Sequence, residues 1–133
     1  MPAPDPAVLV AAMPFAELLG ITVTDATPER AVATLAYRPE ICTAGGIVHG
    51  GALMTLADST GALCAFLGLP EGATTATTSS HTVLLRAARG GTLTATARVV
   101  HRGRRDVVVD TEVTDDGGRP VSRTTQTQAV LGP

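Results

Sequence analysis

Residues 45–67 read GGIVHGGALMTLADSTGALCAFL, a glycine-rich segment that leads directly into an apolar one. The second part, residues 52–67, is apolar on nearly every side, and Asp58 is its only charged residue. A helix of this composition needs cover on most of its faces. Gly68 and Pro70 end the pattern. We therefore predict one long, buried helix over residues 52–67.

The segments on both sides of this helix have the period-two pattern of β-strands. Two predicted strands precede the helix and four follow it: 21–24, 31–37, 74–85, 92–100, 107–113 and 121–131. The acidic and glycine-rich residues 115–118 predict a turn between the last two strands. One long helix among six strands predicts an α+β fold, with a single antiparallel sheet wrapped around a central helix.

Residues 1–20 are predicted to form a short helical segment ahead of the first strand. Asp5 and Pro6 suit the start of one helix, and a second can follow Pro14 and end at Gly20. The rest of the chain contains no internal repeat or linker. We therefore predict that residues 1–133 form a single domain.

The overall composition excludes several classes of function. A net charge of −2 indicates no electrostatic affinity for nucleic acid. The N-terminus lacks the basic and apolar regions of a signal peptide, and the longest apolar run, residues 61–69, is too short to span a bilayer. The two cysteines, Cys42 and Cys64, do not suggest a disulfide framework. We predict a reduced, cytoplasmic protein with no nucleic-acid or membrane partner.

Two features of the central segment can carry chemistry. Helix N-termini present N–H groups without partners, and the glycines of residues 45–51 would let a carbonyl approach and be polarised there. A carboxylate at Asp58, buried and unpaired among apolar neighbours, suits a general base or a nucleophile. The structural alternatives are a simple glycine-rich turn and an Asp58 paired with an arginine from a strand.

The spacing of these features predicts a site shared between two chains. Asp58 follows Gly50 by eight residues, which is ~12 Å along a helix at ~1.5 Å per residue. Two helices that run antiparallel across a two-fold axis would place each Asp58 against the partner's Gly50. A sheet covered by one helix also leaves strand edges open, and a second copy would cover them. We therefore predict a homodimer with shared sites.

The segment 45–66 resembles the central helix of hotdog-fold thioesterases, most closely those of the phenylacetic-acid-degradation (PaaI-like) type. Residues 84–105, LLRAARGGTLTATARVVHRGRR, and 111–130, TEVTDDGGRPVSRTTQTQAV, are similar to later parts of that family, and the resemblance covers residues 15–131. It implies hydrolysis of a small, medium or aryl acyl-CoA thioester to the free acid and CoA. It also implies no metal and no redox cofactor, and commonly a homotetramer of paired dimers.

The resemblance also assigns roles to individual residues. The first glycine after the motif histidine, Gly50 after His49, would polarise the thioester carbonyl, and Asp58 from the neighbouring subunit would be the catalytic acid residue. The family commonly has Asn or Gln six residues before the histidine, where this chain has Thr43. Some branches have Ser or Thr four residues after the acid, where this chain has Ala62. The predicted catalytic set is Asp58, Gly50, His49 and Thr43.

The anionic phosphates of CoA predict contacts with arginine, whose guanidinium group suits phosphate. The predicted substrate- and CoA-binding residues are Gly51, Ser59, Arg86, Arg89, Arg104 and Arg105, with Arg102 in the same basic cluster. The alternative is that these arginines pair with acidic residues such as Asp106, Asp110 and Glu112. We expect the acyl group to lie against Leu53, Leu56 and Phe15.

Two other functions stay open at this point. The same fold can hydrolyse thioesters on an acyl carrier protein, in which case the arginines would meet an acidic protein. It can also bind acyl-CoA without catalysis, which the threonine at position 43 favours and Asp58 disfavours. A nucleophilic Cys42 is a minor alternative, because no base is evident near it in the sequence.

Overall fold

The computed structural model describes residues 4–132, and its elements follow the predicted order. Two 3₁₀ turns, Pro39–Ile41 and Ala44–Gly46, precede the long helix. The helices are α1 (Pro6–Ala11), α2 (Pro14–Leu19) and α3 (Gly50–Leu67). The strands are β1 (Thr22–Ala26), β2 (Arg30–Ala36), β3 (Thr74–Leu84), β4 (Thr92–Arg102), β5 (Asp106–Thr114) and β6 (Pro120–Leu131).

The six strands form one antiparallel sheet in the order β1-β2-β4-β5-β6-β3. α3 lies across one face of this sheet and contacts all six strands. The predicted α+β hotdog architecture is confirmed. The helix starts at Gly50, two residues earlier than predicted, because the His49 side chain caps it.

The core between α3 and the sheet is built from aliphatic side chains, as the near absence of aromatic residues requires. Leu35, Leu56, Leu93 and Val113 are fully buried there. Alternate positions of β2 and β4 carry alanine, and small side chains let a helix approach a sheet closely. These buried alanines are Ala31, Ala33, Ala95 and Ala97. The result is an α3 pressed tightly against the sheet on one side, with its opposite side uncovered.

The uncovered side of α3 carries a stripe of residues spaced one helical turn apart. Met54 and Phe66 are 45% and 47% exposed, and Asp58 lies between them with Ala62. By length and composition alone α3 could cross a membrane, but half of it is buried inside the protein, as expected of a core helix.

The short N-terminal helices also form as predicted. The Asp5 Oδ1 atom accepts a hydrogen bond from the Ala7 N–H at 2.9 Å, and Pro6 is the first residue of α1. α2 ends at Gly20, whose φ of 91° places it in the left-handed region that favours glycine. Residues 1–3 of the predicted N-terminal segment lie outside the described residues.

Candidate active site

The first turn of α3 leaves one backbone amide free. The His49 Nδ1 atom accepts a hydrogen bond from the Gly51 N–H at 2.8 Å. The N–H groups of Ala52 and Leu53 both bond to the His49 carbonyl. Among residues 4–132, the Gly50 N–H has no acceptor. A donor at a helix N-terminus that no protein group uses is available to an oxygen atom of a ligand.

Each glycine of the His-Gly-Gly motif has a close side-chain neighbour. A Cβ atom at Gly51 would lie 2.9 Å from the His49 Nδ1 atom, so a side chain there would displace the capping imidazole. A Cβ atom at Gly50 would lie 3.0 Å from the Leu84 Cδ1 atom of β3. The motif therefore builds a capped helix start whose first amide stays accessible.

Asp58 is half-buried, and two strands hold one of its carboxylate oxygens. Its Oδ1 atom accepts hydrogen bonds from the Thr77 hydroxyl and from the Gln126 side-chain amide, both at 2.9 Å. The Oδ2 atom has no hydrogen-bond partner within the described part of the chain. The expectation of a buried, unpaired carboxylate was wrong. The structural alternative also fails for residues 4–132, because no arginine there pairs with Asp58.

A chain of side-chain amides and hydroxyls supports this carboxylate. The Gln128 side-chain amide donates to the Thr77 hydroxyl at 2.6 Å, and the Thr75 hydroxyl lies 3.1 Å from Gln128 Oε1. Gln126 and Gln128 are both fully buried. Sequence reasoning missed Thr77, Gln126 and Gln128. The available signal was the alternation of glutamine with threonine along a strand that should bury apolar residues on that face.

Gly61 provides the space for Gln126 beneath α3. A Cβ atom at residue 61 would come within 1.8 Å of the Gln126 Oε1 atom. A glycine inside a helix typically destabilises it by about 1 kcal/mol relative to alanine, so its presence in the middle of α3 needs a reason. The close approach of the buried glutamine supplies one.

The remaining predicted catalytic and neighbouring residues make fewer contacts. Thr43 is exposed, and its N–H bonds to the Ile47 carbonyl at 2.8 Å. Its hydroxyl forms no hydrogen bond to residues 4–132, so Thr43 does not hydrogen-bond to Asp58 of its own chain. Ser59 is half-buried beside Asp58.

Within one chain, the arginines of the predicted cluster lie in two separate groups, one near each end of α3. Arg86 and Arg89 are exposed after β3, and the Arg89 Nη1 atom donates to the Gly45 carbonyl at 3.3 Å, near the start of α3. Arg104 and Arg105 are exposed in the turn between β4 and β5. Arg102, which leads into that turn, lies at the other end of α3.

Arg102 is bound to the C-terminus of α3, which sets it apart from the other arginines of the predicted basic cluster. Its guanidinium donates to the carbonyls of Ala65 at 3.0 Å, Pro28 at 2.8 Å and Cys64 at 3.3 Å. A Cβ atom at Gly68 would lie 2.3 Å from the Arg102 Cζ atom, so the glycine leaves room for the guanidinium. The ion pairs among residues 4–132 use Arg30, Arg38 and Arg119, so the predicted alternative pairing of the other arginines is not seen there.

Two open cavities flank α3. One, of about 390 Å³, is lined by Phe15, Leu19, Ile41, Cys42, His49 and Ala52, among others. The other, of about 330 Å³, is lined by Leu9, Met13, Ala62, Leu63, Phe66 and Thr75, among others. Leu53 and Leu56 are only 3% and 0% exposed and face the sheet, so their expected role in an acyl pocket was wrong. Phe15 does line a cavity beside the capped helix start.

The cysteines are poorly placed for nucleophilic chemistry. The Cys42 Sγ atom donates to the Arg38 carbonyl at 3.4 Å, and the neighbouring Cys42 side chain raises the pKa of the Tyr37 phenol. Burial raises the pKa of the Cys64 thiol to about 11, which keeps it protonated at neutral pH. Neither thiol has a basic side chain as a hydrogen-bond partner within residues 4–132.

A sheet wrapped around one long helix is the hotdog architecture, and here a backbone amide without an acceptor among residues 4–132 lies at the helix start, with a carboxylate in the middle of the helix. The sequence model of the thioesterase superfamily matches residues 45–122, more than half of the chain. The chain therefore belongs to the thioesterase superfamily, and its structural neighbours identify it as a PaaI-like hotdog protein.

Several relatives are similar over most of their length. The Mycobacterium tuberculosis protein Rv1847, named a putative esterase, is 35% identical over 92% of this chain and 90% of its own. A mutant of thioesterase PA1618 from Pseudomonas aeruginosa superposes with a TM-score of 0.91 at 29% identity, covering 98% and 96% of the two chains.

Two further solved structures bear on the type of site. The PaaI protein of Escherichia coli, from the phenylacetic acid degradation operon, has a TM-score of 0.84 at 26% identity over 95% of this chain and 90% of its own. A hypothetical thioesterase protein from Streptococcus pneumoniae, solved with coenzyme A, has a TM-score of 0.77 at 29% identity over 85% and 87%.

Proposed function

We propose that this member of the superfamily hydrolyses a small, medium or aryl acyl-CoA thioester to the free acid and CoA. The observation that carries the proposal is the pairing, on one helix, of an unused amide at Gly50 with a half-buried carboxylate at Asp58. The first suits a carbonyl oxygen that gains negative charge, and the second suits a base or a nucleophile.

In the proposed reaction, the thioester carbonyl oxygen accepts a hydrogen bond from the Gly50 N–H. Asp58 Oδ2 can take a proton from a water molecule whose oxygen adds to the carbonyl carbon. Alternatively, Oδ2 adds to that carbon itself, and water later hydrolyses the mixed anhydride. In both routes the C–S bond breaks and the CoA thiolate leaves and takes up a proton. The Gly50 donor would stabilise the tetrahedral oxyanion, a contribution of about 10²–10³ in rate.

The two groups must come from different subunits, because ~12 Å of helix separates them along one chain. A homodimer with antiparallel α3 helices would bring each Asp58 to the partner's Gly50. The exposed stripe of Met54, Asp58, Ala62 and Phe66 supports such a contact, since it places apolar side chains on both sides of the carboxylate.

Strand β3 supports the same dimer from the sheet. It lies at the sheet edge, spans 11 residues, and contains no Lys, Arg, Asp, Glu or Pro. Soluble proteins usually protect a long edge strand with charges or proline, because an unprotected edge pairs with another strand. Pairing β3 with β3 of a second copy would extend the sheet and set the two α3 helices side by side.

The same dimer would reunite the divided arginines. If Gly50 faces the partner's Asp58, the C-terminal end of the partner's α3 extends beyond the start of this one. The turn that carries Arg104 and Arg105 lies at that C-terminal end, because Arg102 caps it. Arg86 and Arg89 lie near the helix start. Arginines from both subunits could then surround the CoA phosphates, and the CoA-bound relative from Streptococcus pneumoniae supports this class of ligand.

The experiment is a panel of acyl-CoA substrates, with short, medium and aryl acyl groups, assayed by release of free thiol. The Asp58→Asn variant should lose at least about 100-fold in rate while it keeps its fold and ligand binding. Near-full activity of this variant would refute the mechanism. The alternative substrate is tested in parallel with the same acyl group attached to an acyl carrier protein. Faster hydrolysis of this thioester than of the acyl-CoA would favour the carrier protein as the substrate.

A subunit-mixing experiment tests the shared site. Asp58→Ala and a variant blocked at Gly50, such as Gly50→Val, should each be inactive. Mixed dimers contain one site built from two intact groups, so a fraction of activity should return. Verified mixed dimers that stay inactive would rule out a site made by two subunits.

Further parts of the proposal come from the sequence and from the family resemblance. We propose that residues 1–133 work as one domain, that the active sites need neither metal nor redox cofactor, and that dimers pair into a tetramer. A cytoplasmic location stays a prediction.

A further inference from the structure

We propose that Gln126 is a positioning residue for Asp58, and that its hydrogen bond to Oδ1 leaves Oδ2 as the carboxylate oxygen that reacts. The inference rests on the proposed function, because it concerns the geometry of the same carboxylate. It adds the reason why Oδ2 is the atom that reacts, a buried residue on β6 that holds the carboxylate, and a glycine that makes the contact possible.

Both hydrogen bonds to Asp58 converge on the same oxygen. The Gln126 Nε2 atom and the Thr77 hydroxyl each lie 2.9 Å from Oδ1. An oxygen that accepts two hydrogen bonds is a poorer base and a poorer nucleophile than one that accepts none. Oδ2 is therefore the reactive atom, and rotation of the carboxylate that would exchange the two oxygens costs both hydrogen bonds.

The direction of both hydrogen bonds is fixed by their surroundings. Gln126 must present its NH₂ group to a carboxylate, which can only accept. The Thr77 hydroxyl accepts a hydrogen bond from the Gln128 amide at 2.6 Å, so its own proton is available for Asp58. The two glutamines are fully buried and cannot move into solvent. Gln126 and Thr77 can therefore only act as hydrogen-bond donors to the Asp58 carboxylate.

The other end of the Gln126 side chain argues against a purely structural role. Its Oε1 atom is buried and has no hydrogen-bond partner among residues 4–132. Buried polar atoms in proteins are normally satisfied, and an unsatisfied one destabilises the fold. Gly61 is also needed to accommodate this atom, since a Cβ there would come within 1.8 Å of it. The chain tolerates both features in order to place the amide nitrogen against Asp58.

The test is the Gln126→Met variant, which keeps the side-chain length and removes both polar atoms. We expect kcat to fall about 10- to 100-fold, as for the loss of a hydrogen bond to a charged group, and KM to change by less than about threefold. The melting temperature should stay the same or rise, because the unsatisfied Oε1 atom is gone. A residue with only a structural role would lose stability and activity together.

Thr124→Val is the matched control. Thr124 lies on the same strand and the same face, is 2% exposed, and bonds to Thr82 instead of Asp58. Its replacement removes one buried hydroxyl at nearly constant volume, and kcat should stay within about twofold of the wild-type value.

Gly61→Ala provides a second, independent variant. The added methyl group should displace the Gln126 amide and lower kcat. In a Gln126→Ala background the space is empty, so the same methyl group should have little further effect. This non-additivity is the signature of two residues that act through one contact. Fully additive losses would contradict the proposed role of Gly61.

The outcomes separate this inference from the proposed function. If Asp58→Asn is inactive but Gln126→Met keeps its rate, or loses rate and melting temperature in parallel, the inference is overturned and the function stands. If wild-type protein releases no thiol from any substrate, both are overturned. If Gln126→Met does not fold, the test uses the side-chain amide NMR signal of Gln126 in the folded wild-type and Asp58→Asn proteins. A signal that is the same in both proteins overturns the inference.

Discussion

The imidazole Nδ1 atom of His49 accepts the Gly51 N–H at 2.8 Å, and this contact leaves the Gly50 N–H as the one unused amide in the first turn of α3. A histidine in this position acts as a helix cap, a role more often taken by Ser, Thr, Asp or Asn. The geometry of the His-Gly-Gly motif therefore depends on a side chain that does not need to touch the substrate.

The first prediction concerns this cap. His49→Ala should destabilise the protein by about 1 kcal/mol and lower its melting temperature by roughly 4 °C, because the Gly51 amide loses its acceptor. His49→Asn should recover most of that loss, since the asparagine side chain can accept the same hydrogen bond. Thermal unfolding followed by circular dichroism measures both. An unchanged melting temperature for His49→Ala would show that the cap does not contribute.

The second prediction separates two neighbouring arginines. Arg102→Met should destabilise the fold by roughly 1–2 kcal/mol, because carbonyls at the end of α3 lose a charged donor. Its KM for acyl-CoA should not change. Arg104→Met should have the opposite effects, with an unchanged melting temperature and a KM raised several-fold.

Denaturant unfolding and steady-state kinetics on the two variants check this assignment. A raised KM for Arg102→Met with unaltered stability would return that residue to the CoA-binding set. An Arg104→Met variant with wild-type KM would remove Arg104 from it.

The third prediction tests the edge strand. Thr78 on β3 and Thr24 on β1 are both exposed, and each donates to a carbonyl of the neighbouring strand at 3.3 Å. Lysine near the middle of β3 would place like charges close together in a β3–β3 pair. Thr78→Lys should therefore shift the protein towards monomer and lower its activity, whereas Thr24→Lys should do neither.

Sedimentation velocity and thiol-release assays at matched concentrations give the result. If both lysine variants keep the same oligomeric state and activity as the wild type, β3 is not the dimer edge.

The fourth prediction concerns Cys64 and pH. Burial raises the pKa of its thiol from an ordinary value near 9 to about 11 in the folded protein. As the pH rises, the unfolded chain therefore loses the Cys64 thiol proton before the folded protein does. The part of the unfolding free energy that comes from this difference is fully present below pH 9 and is lost progressively as the pH rises through 11.

Two measurements follow from the buried thiol. At pH 8 a thiol-specific dye should label the half-buried Cys42 first and reach Cys64 only in denaturant. The fall in unfolding free energy above pH 9 should be smaller in Cys64→Ala than in Cys42→Ser. Rapid labelling of both thiols in the native protein would contradict the burial of Cys64.

The helix and strands were predictable because each follows from local chemistry. An apolar run of helical length and period-two strands define the elements, and the helical rise places Asp58 too far from Gly50 of its own chain. These conclusions need only covalent geometry and the spacing of side chains along one chain. The start of the helix at Gly50 did not follow from this pattern, because it depends on the His49 side chain as a cap.

The surroundings of Asp58 were decided by the tertiary structure alone. Thr77 and Gln126 lie 19 and 68 residues away along the chain, and strand order brings both to the same carboxylate oxygen. Arg102 was grouped with the other arginines of the predicted basic cluster, yet it donates to carbonyls at the end of α3 because β4 ends beside the helix C-terminus. Contacts between distant segments depend on sheet order and register, which no local pattern contains. The sequence by itself predicted that Asp58 needs a partner subunit to act, and the fold leaves Oδ2 as the carboxylate oxygen without a hydrogen-bond partner among residues 4–132.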